Sequence, residues 1–221
     1  VLMITPLKKT ALHDLLNKPV LFDANIFMVG ISDRVSDKNC SFENMKKLYI
    51  EPLFESFTDI YIHEEVYKEL DDESKAFVDT YTGKNVTIVN EGNLYGRDPK
   101  YTTIFNNIAG HELVNYVRGR SKDCGEVYSL AYAAYYNMNF FCSKEIMVDN
   151  VAHELEDLKD IDIITFDIIL LSAYVYYAKK NDNSNSKGLK SMYKKYCADV
   201  IKRHGLPPTL GEYIKATQDY L

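Results

Sequence analysis

Short runs of β-branched and aromatic residues alternate along this chain with longer stretches whose apolar residues recur three and four positions apart. The runs PVLFD (19–23), DIYIH (59–63), VTIV (86–89), NFFCS (139–143) and IDIITF (161–166) predict five strands. Between them, residues 42–57, 64–81, 101–119 and 124–137 carry the spacing of helices, and DIILLSAYVYYAKK (167–180) predicts a mostly apolar helix. The polar run NDNSNSKG (181–188) is expected to break the chain before two further helices, 189–204 and 210–221, separated by GLPP. Strands alternating with helices predict the α/β class, a parallel sheet flanked by helices. The domain expected is residues 1–180, with 181–221 a C-terminal helical extension packed on it.

Composition fits that picture: 221 residues, 46% hydrophobic and 26% charged, are enough to build a core. No apolar run approaches the roughly 18 residues that span a bilayer, and the first residues lack the apolar segment of a secretory signal. A cytoplasmic protein with no membrane partner is therefore expected. Cys40, Cys124, Cys142 and Cys197 are scattered without a Cys-x-x-Cys pair, which predicts reduced thiols. The net charge of −6 argues against indiscriminate binding to a polyanion. The charge is unevenly spread: from Lys187 onward seven basic residues face three acidic ones, and RGRSK supplies Arg118, Arg120 and Lys122. A solvated helix face explains either group taken alone.

At the carboxyl ends of parallel strands, where loops and helix starts converge and ligands gather, the chain places acids. Asp23 ends the first run. Glu69 follows the second by about two helical turns, on the same helix face as Glu65. Glu126 opens the alanine-rich helix after Asp123, and Glu145 follows the fourth run with Ser143 and Lys144 before it. Metal-dependent phosphoryl chemistry needs such a set, because Mg²⁺ and Mn²⁺ prefer hard oxygen ligands and clustered carboxylates are tolerated only around a cation. Each acid has a plainer role. Asp23 or Asn25 would cap a helix, Asp123 and Glu126 would form a capping box, Glu65 and Glu69 would be a wet helix face, and Glu145 would favour a helix dipole.

In their order, VLFDAN, IYIHEEVYKEL, GEVYSLAYAAYYN and FFCSKE resemble the motifs of the PIN-domain nucleases, most closely the small prokaryotic PIN proteins related to toxin ribonucleases. The resemblance covers most of residues 19–221. It implies a three-layer α/β/α fold with a central, mostly parallel sheet of about five strands, plus C-terminal helices. It also implies a ribonuclease dependent on Mg²⁺ or Mn²⁺, the ion held by Asp23, Glu69, Glu126 and Glu145. Asn25, Asp123 and Ser143 would support that site, and Arg118, Arg120, Lys122 and Lys144 would contact nucleic acid. The family's fourth acid is usually aspartate, and here it is the longer Glu145. A toxin role, with a cognate antitoxin and a homodimer, rests on the resemblance alone. The alternative is a catalytically degenerate PIN-like module that binds RNA or protein.

Other chemistries lack their signatures. HEEVY, HELVN and HELED have no second histidine for a His-Glu-x-x-His zinc site, and there is no Gly-Lys-Ser/Thr phosphate loop. Asp23-Ala24-Asn25 lacks the Asp-x-Asp of a haloacid-dehalogenase-like phosphatase, which leaves that reading the weaker one.

Overall fold

A computed structural model of the chain describes residues 12–28, 41–117, 122–196, 201–202 and 205–216. The class is α/β: a five-stranded, all-parallel sheet flanked by helices. The chain divides into two compact units, one of Pro19–Phe27 and Asp59–Ile164, the other of Val1–Lys18, Met28–Thr58 and Thr165–Leu221.

The first unit holds the sheet. Its strands are β1 (Val20–Phe22), β2 (Ile60–His63), β3 (Val86–Val89), β4 (Phe140–Cys142) and β5 (Asp162–Ile164), each within an expected run. Their spatial order is β3-β2-β1-β4-β5. Val20 pairs with Ile60 on one side and Phe140 on the other, which leaves the carboxyl ends of β1 and β4 side by side. Five helices of 6 to 12 residues follow the strands: α5 (Glu64–Glu69), α6 (Asp72–Tyr81), α7 (Pro99–Ala109), α8 (Cys124–Tyr135) and α9 (Ile146–Glu154). Tyr101, Phe105 and Ile108 of α7 and Val127, Leu130 and Ala131 of α8 pack with Leu21 and Phe141 into one buried cluster.

Three boundaries differ from expectation for local reasons. The helix expected over 64–81 is two, because Leu70 takes an extended backbone and the Asp71 carboxylate accepts from Ser74 N at 2.7 Å, restarting the chain as α6. The helix expected over 101–119 ends at Ala109, capped by Gly110, and residues 111–117 form a loop despite the helical spacing of Leu113, Val114 and Val117. Asn137, at φ 54°, turns the chain after α8 toward β4.

The second unit is helical in its described parts. Besides α1 (Leu12–Asn17), its helices include α3 (Phe42–Met45), which runs through a π-turn, Lys46–Ile50, into α4 (Glu51–Ser56). Pro52 cannot donate to the Leu48 carbonyl and its ring would crowd that oxygen; the widened turn just ahead makes room for it. The short α2 (Asn25–Met28) straddles the two units at its last residue. Helices α10 (Phe166–Lys179), α11 (Asn183–Tyr196) and α12 (Leu210–Ala216) also belong to it. The break expected over 181–188 is confined to two residues: Asn181, at φ 57°, reverses the chain, and Asp182 accepts from Ser184 N and Asn185 N, so α11 starts inside the polar run. Gly188 belongs to α11 because a Cβ there would lie 2.7 Å from the Leu48 carbonyl oxygen. Three of the unit's buried tyrosines have partners: the hydroxyls of Tyr213, Tyr177 and Tyr193 donate to Asp167 (3.0 Å), Glu55 (3.0 Å) and the Pro207 carbonyl (2.7 Å). Among the described residues, no helix is long and apolar enough to cross a membrane.

Candidate functional site

Strands β1 and β4 are first and fourth in the chain yet neighbours in the sheet, so the strand order reverses between them. In open parallel sheets that crevice, at the carboxyl ends, is where ligands bind. Asp23 leaves β1 there, 2% exposed, its N–H donating to the Cys142 carbonyl at 3.0 Å. Its Oδ1 accepts from Ala24 N at 2.6 Å, the local role of an aspartate opening a turn. Its Oδ2 accepts from Asn25 Nδ2 at 2.5 Å and from Ser143 Oγ at 2.8 Å, the latter a bond across 120 residues that no cap requires. The same Ser143 hydroxyl accepts from Glu145 N at 3.1 Å, and Asn25 Oδ1 accepts from Lys144 N at 3.3 Å. Asn25 and Ser143 thus tie the two strand ends together and hold the Asp23 carboxylate in one orientation.

Helices α5 and α8 bring the next acids. Glu69, the last residue of α5, accepts through Oε1 from Gly125 N at 3.2 Å, one of the free N–H groups in the first turn of α8. The approach depends on Gly125: a Cβ there would stand 3.0 Å from both Glu69 Oε1 and Val66 Cγ2. Asp123 occupies the cap position of α8 in the left-handed region, φ 53°, but its side chain caps nothing; Oδ2 accepts from Asn115 N at 2.7 Å instead. The capping box that would have explained Asp123 and Glu126 therefore does not form. Glu145 likewise precedes α9 without a side-chain cap bond. Glu65 turns outward to Lys68, 2.8 Å away, and receives the Cys124 thiol at 3.8 Å.

These carboxylates sense one another. Burial, then the charge of Glu126, pushes Asp23 up to about 8; the Ser143 hydroxyl and Ala24 N–H pull it back, and Glu69 adds to the rise. Burial, then Glu126 again, pushes Glu69 up to about 7 against the Gly125 N–H, with Glu65 and Asp123 contributing. Glu126 is itself raised, by burial first and then by the charges of Asp123 and Glu145. Nearby thiols stay protonated: burial, then surrounding carboxylates, pushes Cys124 up to about 11, and burial, then Asp23, raises Cys142 well above its usual value. Both are free cysteines; Cys40 and Cys197 lie outside the described residues.

A cleft of about 570 Å³ opens beside the acids, lined by Asp123, Glu126, Glu145 and Lys122, with Glu112, Asn115, Leu113 and Met147 in its wall. Asp23 and Glu69 are not in that lining; the charge of Glu126, which is, raises both. Lys122 and Lys144 are exposed, while Arg118 and Arg120 lie outside the described residues. Sequence reasoning missed Gly125, Glu112, Asn115 and Met147. Only Gly125 left a signal, a helix-disfavouring residue in the first turn of an alanine-rich helix beside an acid. Glu112 and Asn115 line the cleft because the loop after Gly110 replaces the expected helix, and Met147 reaches it from the first turn of α9.

Among the described residues, no group of three or more His, Cys, Asp or Glu is arranged to hold a metal ion as the side chains stand. In type, however, the donors are carboxylates, an amide and a hydroxyl, with the thiols protonated, a set suited to a hard divalent cation such as Mg²⁺ or Mn²⁺ rather than to zinc. Compared with protein-family models, curated proteins and solved structures, the chain matches none.

Proposed function

We propose that the chain is a divalent-metal-dependent phosphodiesterase that cleaves RNA, a nuclease of PIN type. The observation that carries this reading is the gathering of acids at one sheet edge: Asp23 is held by Ser143 and Asn25 where β1 meets β4, Glu69 is held at the start of α8, and Asp123, Glu126 and Glu145 line one cleft, with Glu126 raising both Asp23 and Glu69 and itself raised by Asp123 and Glu145. The chief influences on Asp23, Glu69 and Glu126 include no basic side chain. Such mutual repulsion at a ligand-binding sheet edge disfavours the ionised state unless a cation offsets it. Asp23, Glu69, Glu126 and Glu145 are the residues that would hold Mg²⁺ or Mn²⁺. A bound ion of this kind lowers the pKa of a water and neutralises charge on a phosphate.

The chain's own groups divide the remaining work. Ser143 and Asn25 fix the Asp23 carboxylate, so that little reorientation is needed on binding. Gly125 N–H holds Glu69 at the start of α8. Lys122, in the wall of the cleft, offers an ammonium to a phosphate. The order of motifs shared with PIN nucleases supports RNA as the substrate, and a toxin role with an antitoxin partner follows only from that resemblance. Incubation of purified protein with mixed RNA and Mn²⁺ tests the reading: wild type should cut and Asp23→Asn should not. Equal cutting by both, or RNA binding with no cutting by wild type, would overturn it, the second outcome assigning the chain to the degenerate binding modules.

A further inference from the structure

The two units differ in charge. The sheet-bearing unit has 10 basic and 21 acidic residues, whereas the helical unit has 16 basic and 11 acidic. Much of the positive excess lies at the end of α10 and on α11: Lys179, the C-cap Lys180, Lys187, Lys190 and Lys194 are all exposed. Lysines at the end of a helix favour its dipole, which accounts for Lys179 and Lys194. Lys187 and Lys190 have no such role, since they lie in the second turn of α11 and just beyond, toward its positively polarised end.

Spacing makes the arrangement less favourable still. Lys187, Lys190 and Lys194 follow one another at i+3 and i+4, so each faces a like charge across a helical turn, an arrangement that destabilises a helix. Some lysines elsewhere do have acidic partners at these spacings, Lys18 with Asp14, and Lys68 with Glu64 and Glu65. Among the described residues no carboxylate pairs with Lys187, Lys190 or Lys194. Lys190 instead lies 5.1 Å from the centroid of the Tyr174 ring, whose face steadies the ammonium without neutralising it. A row of unneutralised ammoniums about one helical turn apart complements a row of phosphates. The face has no apolar anchor for a lipid surface, because Leu189, Met192 and Tyr193 of the same helix are buried.

We propose that Lys187, Lys190 and Lys194 of α11 form a binding surface for the phosphate backbone of single-stranded RNA. This rests on RNA being the substrate, but not on the acidic site being active. The test is fluorescence anisotropy of a labelled oligouridine of about 12 nucleotides, titrated with the full chain in EDTA over a range of KCl concentrations. Two variants of equal charge loss are compared, Lys187→Gln/Lys190→Gln/Lys194→Gln and a control, Lys84→Gln/Lys100→Gln/Lys159→Gln, in exposed positions of the acidic unit. Both should keep the circular dichroism of wild type. The α11 variant should bind roughly tenfold more weakly at low salt, and its log–log salt slope should fall by about 2, three contacts at about 0.7 each. An unchanged slope, or an equal loss in the control, overturns the proposal. So does binding to phosphatidylserine vesicles without binding to RNA, or a lysine-dependent self-association seen in sedimentation with RNA affinity unaltered. If RNA binding depends on these lysines while Mn²⁺ supports no cleavage, the nuclease reading fails and the surface stands. If RNA is cleaved with the slope unaltered, the surface falls and the nuclease reading stands.

Discussion

Replacing Asp23 by asparagine should stabilise the metal-free protein, increasingly so as pH rises. In the folded chain burial and then Glu126 raise this carboxyl from its ordinary 3.8 to about 8. An acid whose folded value lies above its unfolded value binds more protons when folded, so stability is full below about pH 4 and is lost as pH rises toward 8. At about 1.4 kcal/mol per pH unit, holding Asp23 ionised in the folded state costs on the order of 5 kcal/mol. Asparagine removes that cost but turns one acceptor into a donor among the Ala24, Asn25 and Ser143 donors, returning roughly 1–3 kcal/mol. The net gain at pH 8 is therefore about 2–4 kcal/mol, shrinking to nothing or changing sign near pH 5. Urea denaturation in EDTA at pH 5, 6.5 and 8 measures it, provided each transition is two-state. Wild type should lose midpoint more steeply with pH than Asp23→Asn, in which the raised Glu69 and Glu126 still titrate. Parallel pH dependence in the two proteins would refute the reasoning, because the buried carboxyl would then not be the group that titrates.

Other substitutions bear on separate links. Ser143→Ala, which removes the hydroxyl joining Asp23 to the Glu145 backbone, should weaken Mn²⁺ binding by about 10–100-fold while altering melting by only a few degrees, as calorimetric titration and melting would show. Gly125→Ala, which crowds Glu69 and Val66, should destabilise the fold by about 1–3 kcal/mol and weaken Mn²⁺ binding together, whereas a loss of stability alone would detach Glu69 from the site. Gly188→Ala, directed at the Leu48 carbonyl, should cost a similar amount of stability, about 1–3 kcal/mol, with Mn²⁺ affinity of the folded protein unchanged.

The strands were legible because a buried parallel strand is a compact apolar run bounded by turn residues, and VTIV (86–89) coincides with β3 to the residue. Helix ends were less so. Asp71 reads as one more wet-face acid until its bond to Ser74 N shows it restarting the chain, and the polar residues 183–187 resemble a loop until Asp182 caps them. The helix α9 went unanticipated, its apolar spacing short and preceded by charge. Of the candidate site, Asp23 and Glu145 were legible as acids at strand ends, and Asn25 and Ser143 through the resemblance of the motifs; the structure brings Asp23, Asn25 and Ser143 into contact. The bond from Gly125 N to Glu69 was not legible, because it depends on how closely α5 approaches α8, a distance that no periodicity encodes.

Whether a cation sits against Asp23 is the central claim, and a crystal soaked in Mn²⁺ tests it most directly. The anomalous map should show an ion about 2.0–2.3 Å from an Asp23 carboxylate oxygen, with Glu126 and at least one of Glu69 and Glu145 turned toward it. No peak at saturating Mn²⁺, or a peak away from Asp23 and Glu126, would contradict the account.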